Sequence, residues 1–172
     1  IMHTLFMPFL LASFLLFACS KNDNNGTNTD FGLAPETPDA QLLESLLNGM
    51  RQNETKCGNQ NFGPVGTVVW NETLAEVARA HSRDMNEHIG QLSHAGSDNS
   101  LPPDRVAAGG YDLAPGTGVA IENIAKGFTS EIAVMDAWKA SEGHCVNLMD
   151  SRVTEFGVGT SGPYWTMILA RH

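Results

Sequence analysis

The chain has 172 residues and a formal net charge of −9 at pH 7, with 10 Lys and Arg against 19 Asp and Glu. Hydrophobic residues make up 42% and charged residues 17%, a composition typical of a folded domain rather than of a disordered chain or a membrane bundle. The acidic balance argues against nucleic acid and anionic lipid as electrostatic partners, because both are bound through Lys and Arg.

The N-terminal segment 1–19 is predicted to be a lipoprotein signal peptide. Its 15 residues from Leu5 to Cys19 are apolar and uncharged, which is short of the about 20 that a bilayer-spanning helix needs. The run ends in Leu16-Phe17-Ala18-Cys19, which looks like a bacterial lipobox, whose cysteine is lipidated and becomes the new N-terminus. Residues 20–38 are rich in Asn, Asp, Gly and Thr, so we expect a flexible polar tether before a domain at 39–172.

Hydrophobic periodicity and capping residues predict three helices. The first is expected to begin with Thr37 as N-cap and Pro38 in its first turn, with an apolar face formed by Leu43, Leu46, Leu47 and Met50. The second follows Asn71 as N-cap. The third runs from about Ser130 to Ala140.

Two strands are predicted at the end of the chain, Thr154–Thr160 and Tyr164–Ala170, around a Gly-Pro turn. Helices early and strands late, without β-α-β alternation, indicate an α+β fold with an antiparallel sheet. The glycine-rich stretch Gly90–Gly127 is interpreted as mostly loop, apart from a strand around Glu122. Loops of that length in a compact domain are often functional.

Cys57 and Cys145 remain once Cys19 is assigned to lipidation. A lipoprotein matures in an oxidising compartment, where two cysteines usually form a disulfide. The alternative is a Cys145 nucleophile activated by the adjacent His144. Neighbouring residues on a helix point about 100° apart, so those two side chains would not face each other there, and the disulfide is preferred.

Four chemistry-bearing side chains stand out in the remaining sequence. His81 falls on the apolar stripe of the second helix, and we interpret it as a hydrogen-bonded core histidine. His94 lies between small residues in a loop, and His144 follows Gly143 directly after the third helix. Glu122 is flanked by apolar residues, and its carboxylate is costly to bury unless a cation or donors meet it. Two imidazoles and a carboxylate can bind a divalent ion with room for water, but sequence spacing alone does not bring these three together.

Three blocks of sequence carry a resemblance to a known family: Ser93-His94-Ala95-Gly96, Glu122-Asn123-Ile124-Ala125-Lys126-Gly127 and Gly143-His144-Cys145-Val146-Asn147-Leu148-Met149. Together they closely resemble the bacterial CAP domain (cysteine-rich secretory protein, antigen-five and pathogenesis-related superfamily, also called SCP-like) over about residues 40–171. The resemblance implies an α-β-α sandwich, with a central antiparallel sheet flanked by helices, and an extracytoplasmic location.

The resemblance also implies a cleft in which His94, Glu122 and His144 match family positions. In the family this cleft can bind a divalent metal, often zinc, so a zinc ion or another divalent metal is the expected cofactor. The second cleft glutamate of many relatives corresponds here to Ser141, and Glu142 is one position out of register. The family pattern likewise supports a Cys57–Cys145 disulfide.

The expected protein is a lipid-anchored, non-catalytic binding module of the bacterial cell envelope. It would reach the membrane through Cys19 and bind a lipid, a sterol or another envelope ligand, without nucleic acid as a partner. Two alternatives stay open. One is a metal-assisted hydrolase or protease in which Glu122 is the general base that acts on a water molecule. The other is a structural envelope protein with a vestigial cleft.

Overall fold

A computed structural model describes residues 33–172 of the chain. The signal peptide 1–19 with its Cys19, and most of the predicted tether, lie outside the described residues. The end of that tether, residues 33–38, lies against the domain: the Ala34 amide donates to the carbonyl of Gly162 at 2.9 Å, and the Thr160 hydroxyl donates to that of Pro35 at 2.5 Å. The packed part of the chain therefore begins before the predicted boundary at residue 39.

The described chain forms five α-helices, one π-helical turn and six strands. In chain order these are α1 (Ala40–Arg51), β1 (Thr55–Cys57), β2 (Gln60–Phe62), β3 (Val69–Trp70), α2 (Glu72–Asp84), the π-helical turn (Met85–Ile89), α3 (Pro102–Ala108), β4 (Val119–Lys126), α4 (Glu131–Ala140), α5 (Glu142–Leu148), β5 (Glu155–Ser161) and β6 (Tyr164–Arg171). The predicted α+β class is confirmed.

The helix starts follow the capping residues, with one correction. The side chains of Asn71 and Ser130 accept hydrogen bonds from the amides of Leu74 and Ala133, as expected of N-caps. The N-cap of α1 is Asp39 rather than Thr37, because the Asp39 carboxylate accepts the Leu42 amide at 3.0 Å. Pro38 precedes the helix instead of occupying its first turn.

The main sheet has the strand order β3-β5-β6-β4. The predicted strands β5 and β6 form an antiparallel pair, and β4 pairs antiparallel with β6 along its whole length. The central sheet is antiparallel as predicted, except at one edge, where the two-residue strand β3 runs parallel to β5. A parallel pair needs a long connection, and here the chain from α2 to α5 connects the two strands.

Both faces of this sheet are covered by helices, so the domain is an α-β-α sandwich. Alternate residues of β6 point to opposite faces: Met167 packs in the larger hydrophobic cluster with residues of α1, α4 and α5, and Ile168 packs with residues of α2 and α3. On β5, Gly157 lets α2 lie directly on the sheet, since an added Cβ would come within 2.2 Å of the Ala75 amide nitrogen. The near-continuous burial of β5 and β6 follows from this two-sided packing.

The stretch Gly90–Gly127 holds more regular structure than its glycine content indicates. It contains the short helix α3 as well as the predicted strand around Glu122, which is β4. Helix α3 begins at Pro102, and the Asp104 carboxylate accepts the Leu101 amide at its start. Within residues 33–172, no helix is both long and apolar enough to span a bilayer.

Candidate functional site

The site is built around Glu122, whose side chain is only 1% exposed in the middle of β4. Its Oε1 accepts a hydrogen bond from His94 Nδ1 at 2.8 Å, and its Oε2 accepts one from Arg105 Nη2 at 2.7 Å. The Nε2 atom of His81 lies 3.7 Å from Oε1. A carboxylate can be buried at this depth because a guanidinium and an imidazole compensate its lost hydration.

His94 is placed by the loop that joins the π-helical turn to α3. Arg105 Nη1 donates to the His94 carbonyl at 3.2 Å and to the Ser100 carbonyl at 2.7 Å, so the same guanidinium that pairs with Glu122 also holds the loop. The His94 side chain remains 55% exposed. One ring nitrogen is thus fixed by a buried carboxylate while the imidazole itself faces solvent.

His144 reaches the site from α5, not from a loop after a helix. Gly143 was expected to end a helix, but it lies inside α5. His144 is the third residue of that helix. Asn123, next to Glu122, donates to the His144 carbonyl at 3.1 Å and accepts from Asn147 at 2.9 Å. These two asparagines join the motif that carries Glu122 to the motif that carries His144, so the conformation of one motif depends on the other.

The disulfide holds α5 from its other side. Cys57 and Cys145 are bonded, with their Cα atoms 5.4 Å apart, and this confirms the predicted pairing. Cys145 is therefore not a free thiol. Its neighbour Glu142 packs against the β1–β2 turn, where a Cβ added to Gly58 would lie 2.2 Å from the Glu142 Cδ atom. Many relatives have a cleft glutamate at the position of Ser141. Glu142 does not take its place, because its side chain lies against this turn.

The three histidines of this region differ in basicity. The hydrogen bond to Glu122 raises the pKa of His94. Burial, together with the positive charge of His94, lowers the pKa of His144. Burial also lowers the pKa of His81, against the opposing effect of Glu122. Of the three rings, His94 is therefore the one most easily protonated.

The structure brings the predicted residues into one region and adds two that the sequence reasoning did not assign to it. His81 is a hydrogen-bonded core histidine as predicted, with its Nε2 atom 2.8 Å from the Ser93 carbonyl, but it also borders Glu122. Arg105 was missed. A signal existed, because a buried Glu122 needs a cation and Arg105 is the one basic residue between His94 and Glu122 in the sequence.

The candidate metal ligands are reduced to two histidines, because Glu122 already has partners for both of its oxygens. Within residues 33–172, no group of three or more His, Cys, Asp and Glu side chains is arranged to hold an ion. Both oxygens of Glu122 are engaged by His94 and Arg105. A histidine whose Nδ1 atom is fixed by a carboxylate is nevertheless the usual form of a histidine ligand. His94 and His144 are thus the two residues that could bind a metal, with Glu122 orienting His94.

Comparison with known proteins identifies the family. The pattern of the CAP family, described as the cysteine-rich secretory protein family, matches residues 45–164. The chain belongs to this family. The predicted resemblance and fold are thereby confirmed.

Two proteins of Bacillus subtilis strain 168 are similar to this CAP domain. The uncharacterized membrane protein YlbC is 36% identical over 97 residues, which cover 56% of this chain and 27% of that protein. The uncharacterized protein YkwD is 37% identical over 97 residues, covering 55% of this chain and 36% of that protein. The matched part of the chain thus spans about a third or less of each relative.

Solved structures support the same fold. An extracellular protein of Bacillus anthracis containing an SCP domain superimposes with a TM-score of 0.64 at 28% identity, covering 81% of this chain and 45% of that one. An outer surface protein of Borrelia burgdorferi gives 0.63 at 18% identity, covering 82% and 98%. The family and the extracellular Bacillus anthracis protein support an extracytoplasmic location, in agreement with the disulfide.

Proposed function

We propose that this CAP-domain protein is a lipid-anchored binding module of the bacterial envelope, whose cleft binds its ligand at His94 and His144. The observation that carries the proposal is the position of Glu122. It is buried and its charge is directed at Arg105 and His94, so it holds a half-exposed imidazole in a fixed orientation. A side chain fixed in this way contacts a ligand without further loss of rotamer entropy.

A divalent metal, zinc by preference, is the cofactor we propose for this cleft. His94 and His144 are the residues that would bind the ion, which would supply a Lewis acid open to a ligand. The lipid anchor at Cys19 would hold the domain outside the cytoplasm. A lipid, a sterol or another envelope molecule with a metal-binding or acceptor group is the ligand class that we propose.

Calorimetric titration of the full chain with zinc tests this proposal. We expect one site of micromolar or tighter affinity, weakened at least about a hundredfold in His94→Ala and in His144→Ala, because each variant removes one of two ligands. The matched control is His88→Ala, at an exposed histidine of the π-helical turn. No specific binding by the wild-type chain, or equal loss in the control, would contradict the metal part of the proposal.

A second candidate is a metal-assisted hydrolase, favoured by the hydrogen bond between Glu122 and His94. In this arrangement the carboxylate makes the other ring nitrogen of His94 more basic, as in a histidine–carboxylate pair. Glu122 itself has both oxygens engaged, so its role in this arrangement would be to orient His94 as a metal ligand, while the ion would supply the Lewis acid that acts on water. Hydrolysis of a fluorogenic peptide or ester set that is abolished by His94→Ala, with zinc present, would establish this activity.

The third alternative is a structural envelope protein with a vestigial cleft, for which no ligand binding is expected. Neither metal nor candidate ligand would then change the melting temperature of the folded chain. A melting-temperature screen with zinc and with lipid vesicles separates this alternative from the first two.

A further inference from the structure

A groove of about 400 Å³ lies between α1 and β3. Its size is within the range of small-molecule sites. It lies at the opposite edge of the main sheet from the cleft, because β3 and β4 are the two end strands of the order β3-β5-β6-β4. The lining combines one indole ring and one methyl group with four polar side chains: Ala40, Gln41, Glu44, Ser45, Asn48 and Trp70.

Trp70 is the aromatic wall of this groove, and its ring is held in one orientation. The fully buried Phe156 packs against it in a T-shaped arrangement, with the ring centroids 5.4 Å apart. The Trp70 Nε1 atom donates to Glu72 Oε2 at 3.0 Å, and the Trp70 amide donates to Glu44 Oε2 at 2.9 Å. The ring is only partly buried. A fixed, partly exposed indole can stack on a ligand with little further loss of conformational entropy.

The polar side chains of the groove come from one face of α1. They follow the helical spacing i, i+3, i+4 and i+7, and are Gln41, Glu44, Ser45 and Asn48. Gln41 and Ser45 are exposed. The Asn48 amide is already used, since it both donates to and accepts from the backbone of Val68. The groove therefore presents an amide, a carboxylate and a hydroxyl beside the indole, and these groups can donate to and accept from the hydroxyls of a ligand.

A ligand that matches this lining has a flat apolar face and hydrogen-bonding groups around its rim. A pyranose ring whose substituents are all equatorial has both, because its axial C–H groups form the face and its hydroxyls surround it. The polarised C–H groups are attracted to the negative face of an indole. A lipid tail is disfavoured because most of the lining side chains are polar. A nucleotide is disfavoured because its phosphate would lie near the carboxylate of Glu44.

We propose that this groove is a binding site for a neutral sugar built of equatorial pyranose rings. One ring stacks on Trp70, and its hydroxyls form hydrogen bonds with Gln41, Glu44 and Ser45. The site is separate from the metal cleft and does not depend on the function proposed above.

Tryptophan fluorescence of the full chain tests the proposal. The chain has three tryptophans, and Trp138 and Trp165 are 1% and 0% exposed, so acrylamide in solution quenches mainly Trp70. We expect cellotetraose and chitotetraose to protect this emission from acrylamide in a saturable manner, with a Kd of about 1 mM or tighter. The tighter of the two identifies whether the bound ring carries hydroxyl groups alone or an acetamido group. Sorbitol, which has hydroxyls without a ring face, and adenosine, which has a flat aromatic base, should give no saturable protection.

A pair of glutamine variants on α1 provides the matched control. Gln41 lines the groove and Gln52, the C-cap of the same helix, does not, although both are exposed. We expect Gln41→Leu to weaken binding of the tighter oligosaccharide about threefold or more, because it removes a hydrogen bond to a hydroxyl. Gln52→Leu should leave the affinity within about 1.5-fold of the wild type.

Trp70→Leu removes the stacking surface and should abolish binding measured by calorimetry, with circular dichroism to check that the variant is folded. If it does not fold, the glutamine pair decides. Equal protection by sorbitol or adenosine, equal effects of the two glutamine variants, or no saturable protection by either oligosaccharide would each overturn the proposal.

Discussion

Two buried charges, Arg51 and Glu122, are held in contrasting ways. Arg51 at the end of α1 is fully buried. Among the described residues, its guanidinium donates only to backbone carbonyls: those of Gly66 at 2.7 Å, Leu148 at 2.6 Å, Asp150 at 3.1 Å and Val153 at 3.5 Å. Arg51 thus joins α1 to the end of α5 and to the segment that leads into β5.

Glu122 is held by side chains that titrate or reach the surface. Its partners are Arg105 and the half-exposed His94, and both belong to the segment between the π-helical turn and the end of α3. Backbone carbonyls cannot change charge, whereas an imidazole can gain or lose a proton or bind a metal. We infer that a buried charge fixed by backbone stabilises the fold, and that one fixed by exposed, titratable side chains marks a site.

The largest effect we expect in this comparison is on stability, from Arg51→Met. The variant leaves several buried carbonyls without a donor, each worth about 1–3 kcal/mol, so the free energy of unfolding should fall by at least about 3 kcal/mol. Urea denaturation measures this loss. Arg83→Met, at an exposed position of α2, is the control and should stay within about 0.5 kcal/mol of the wild type. If both variants lose equally, Arg51 does not have the structural role inferred here.

A smaller loss of stability, but a larger effect on binding, is expected from Glu122→Gln. The amide retains hydrogen-bonding capacity while removing the charge that faces Arg105, so the free energy of unfolding should be about 1–3 kcal/mol lower than in the wild type. Zinc affinity should fall by about 10–100-fold, because His94 loses its orienting carboxylate. Glu87→Gln, at an exposed position of the π-helical turn, should change neither quantity. Unchanged zinc affinity in Glu122→Gln would contradict the orienting role.

The smallest expected effect is the pH dependence that His94 confers. Its pKa is raised in the folded chain by the hydrogen bond to Glu122, so its stabilising contribution is complete below the unfolded pKa of about 6.5 and is lost as pH rises through the higher folded pKa. His94→Gln should therefore lose more stability at pH 5 than at pH 8. The difference should stay below about 1 kcal/mol, since solvent screens a half-exposed ion pair.

Proton NMR titration of the His94 ring measures the same linkage directly. We expect its pKa to fall in Glu122→Gln, since the variant removes the negative charge that favours the imidazolium. An unchanged pKa would mean that the hydrogen bond to Glu122 does not determine the protonation of His94.

The fold could be predicted largely from local patterns, because its helices and strands carry clear periodicity and caps. Asn71 and Ser130 cap their helices as expected, and β5 and β6 lie where the tail of the sequence indicated two strands. The start of α1 was displaced because Thr37 and Asp39 are both capping residues, and only the geometry favours the carboxylate of Asp39. Helix α3 was missed because its seven residues, which begin with two prolines and are followed by two glycines, show too little periodicity.

The candidate site could be predicted only in part. The disulfide partners followed from the count of cysteines, and His94, Glu122 and His144 from their motifs. Arg105 carries no motif, and its role appears only when α3 is packed beside β4. His144 was expected after a helix because Gly143 looks like a helix end, yet α5 begins at Glu142 and contains both.

By itself, the sequence determined the family, the three longest helices, the three longest strands and the residues available for chemistry, since these depend on composition, periodicity and short motifs. Only the tertiary structure decided that Glu122 orients His94 instead of standing free, and that His81 and Arg105 lie against Glu122. In the sequence, His94 lies 11 positions from Arg105 and 28 positions from Glu122. Contacts over such separations are set by how β4, α2 and α3 pack against one another, which no local pattern encodes.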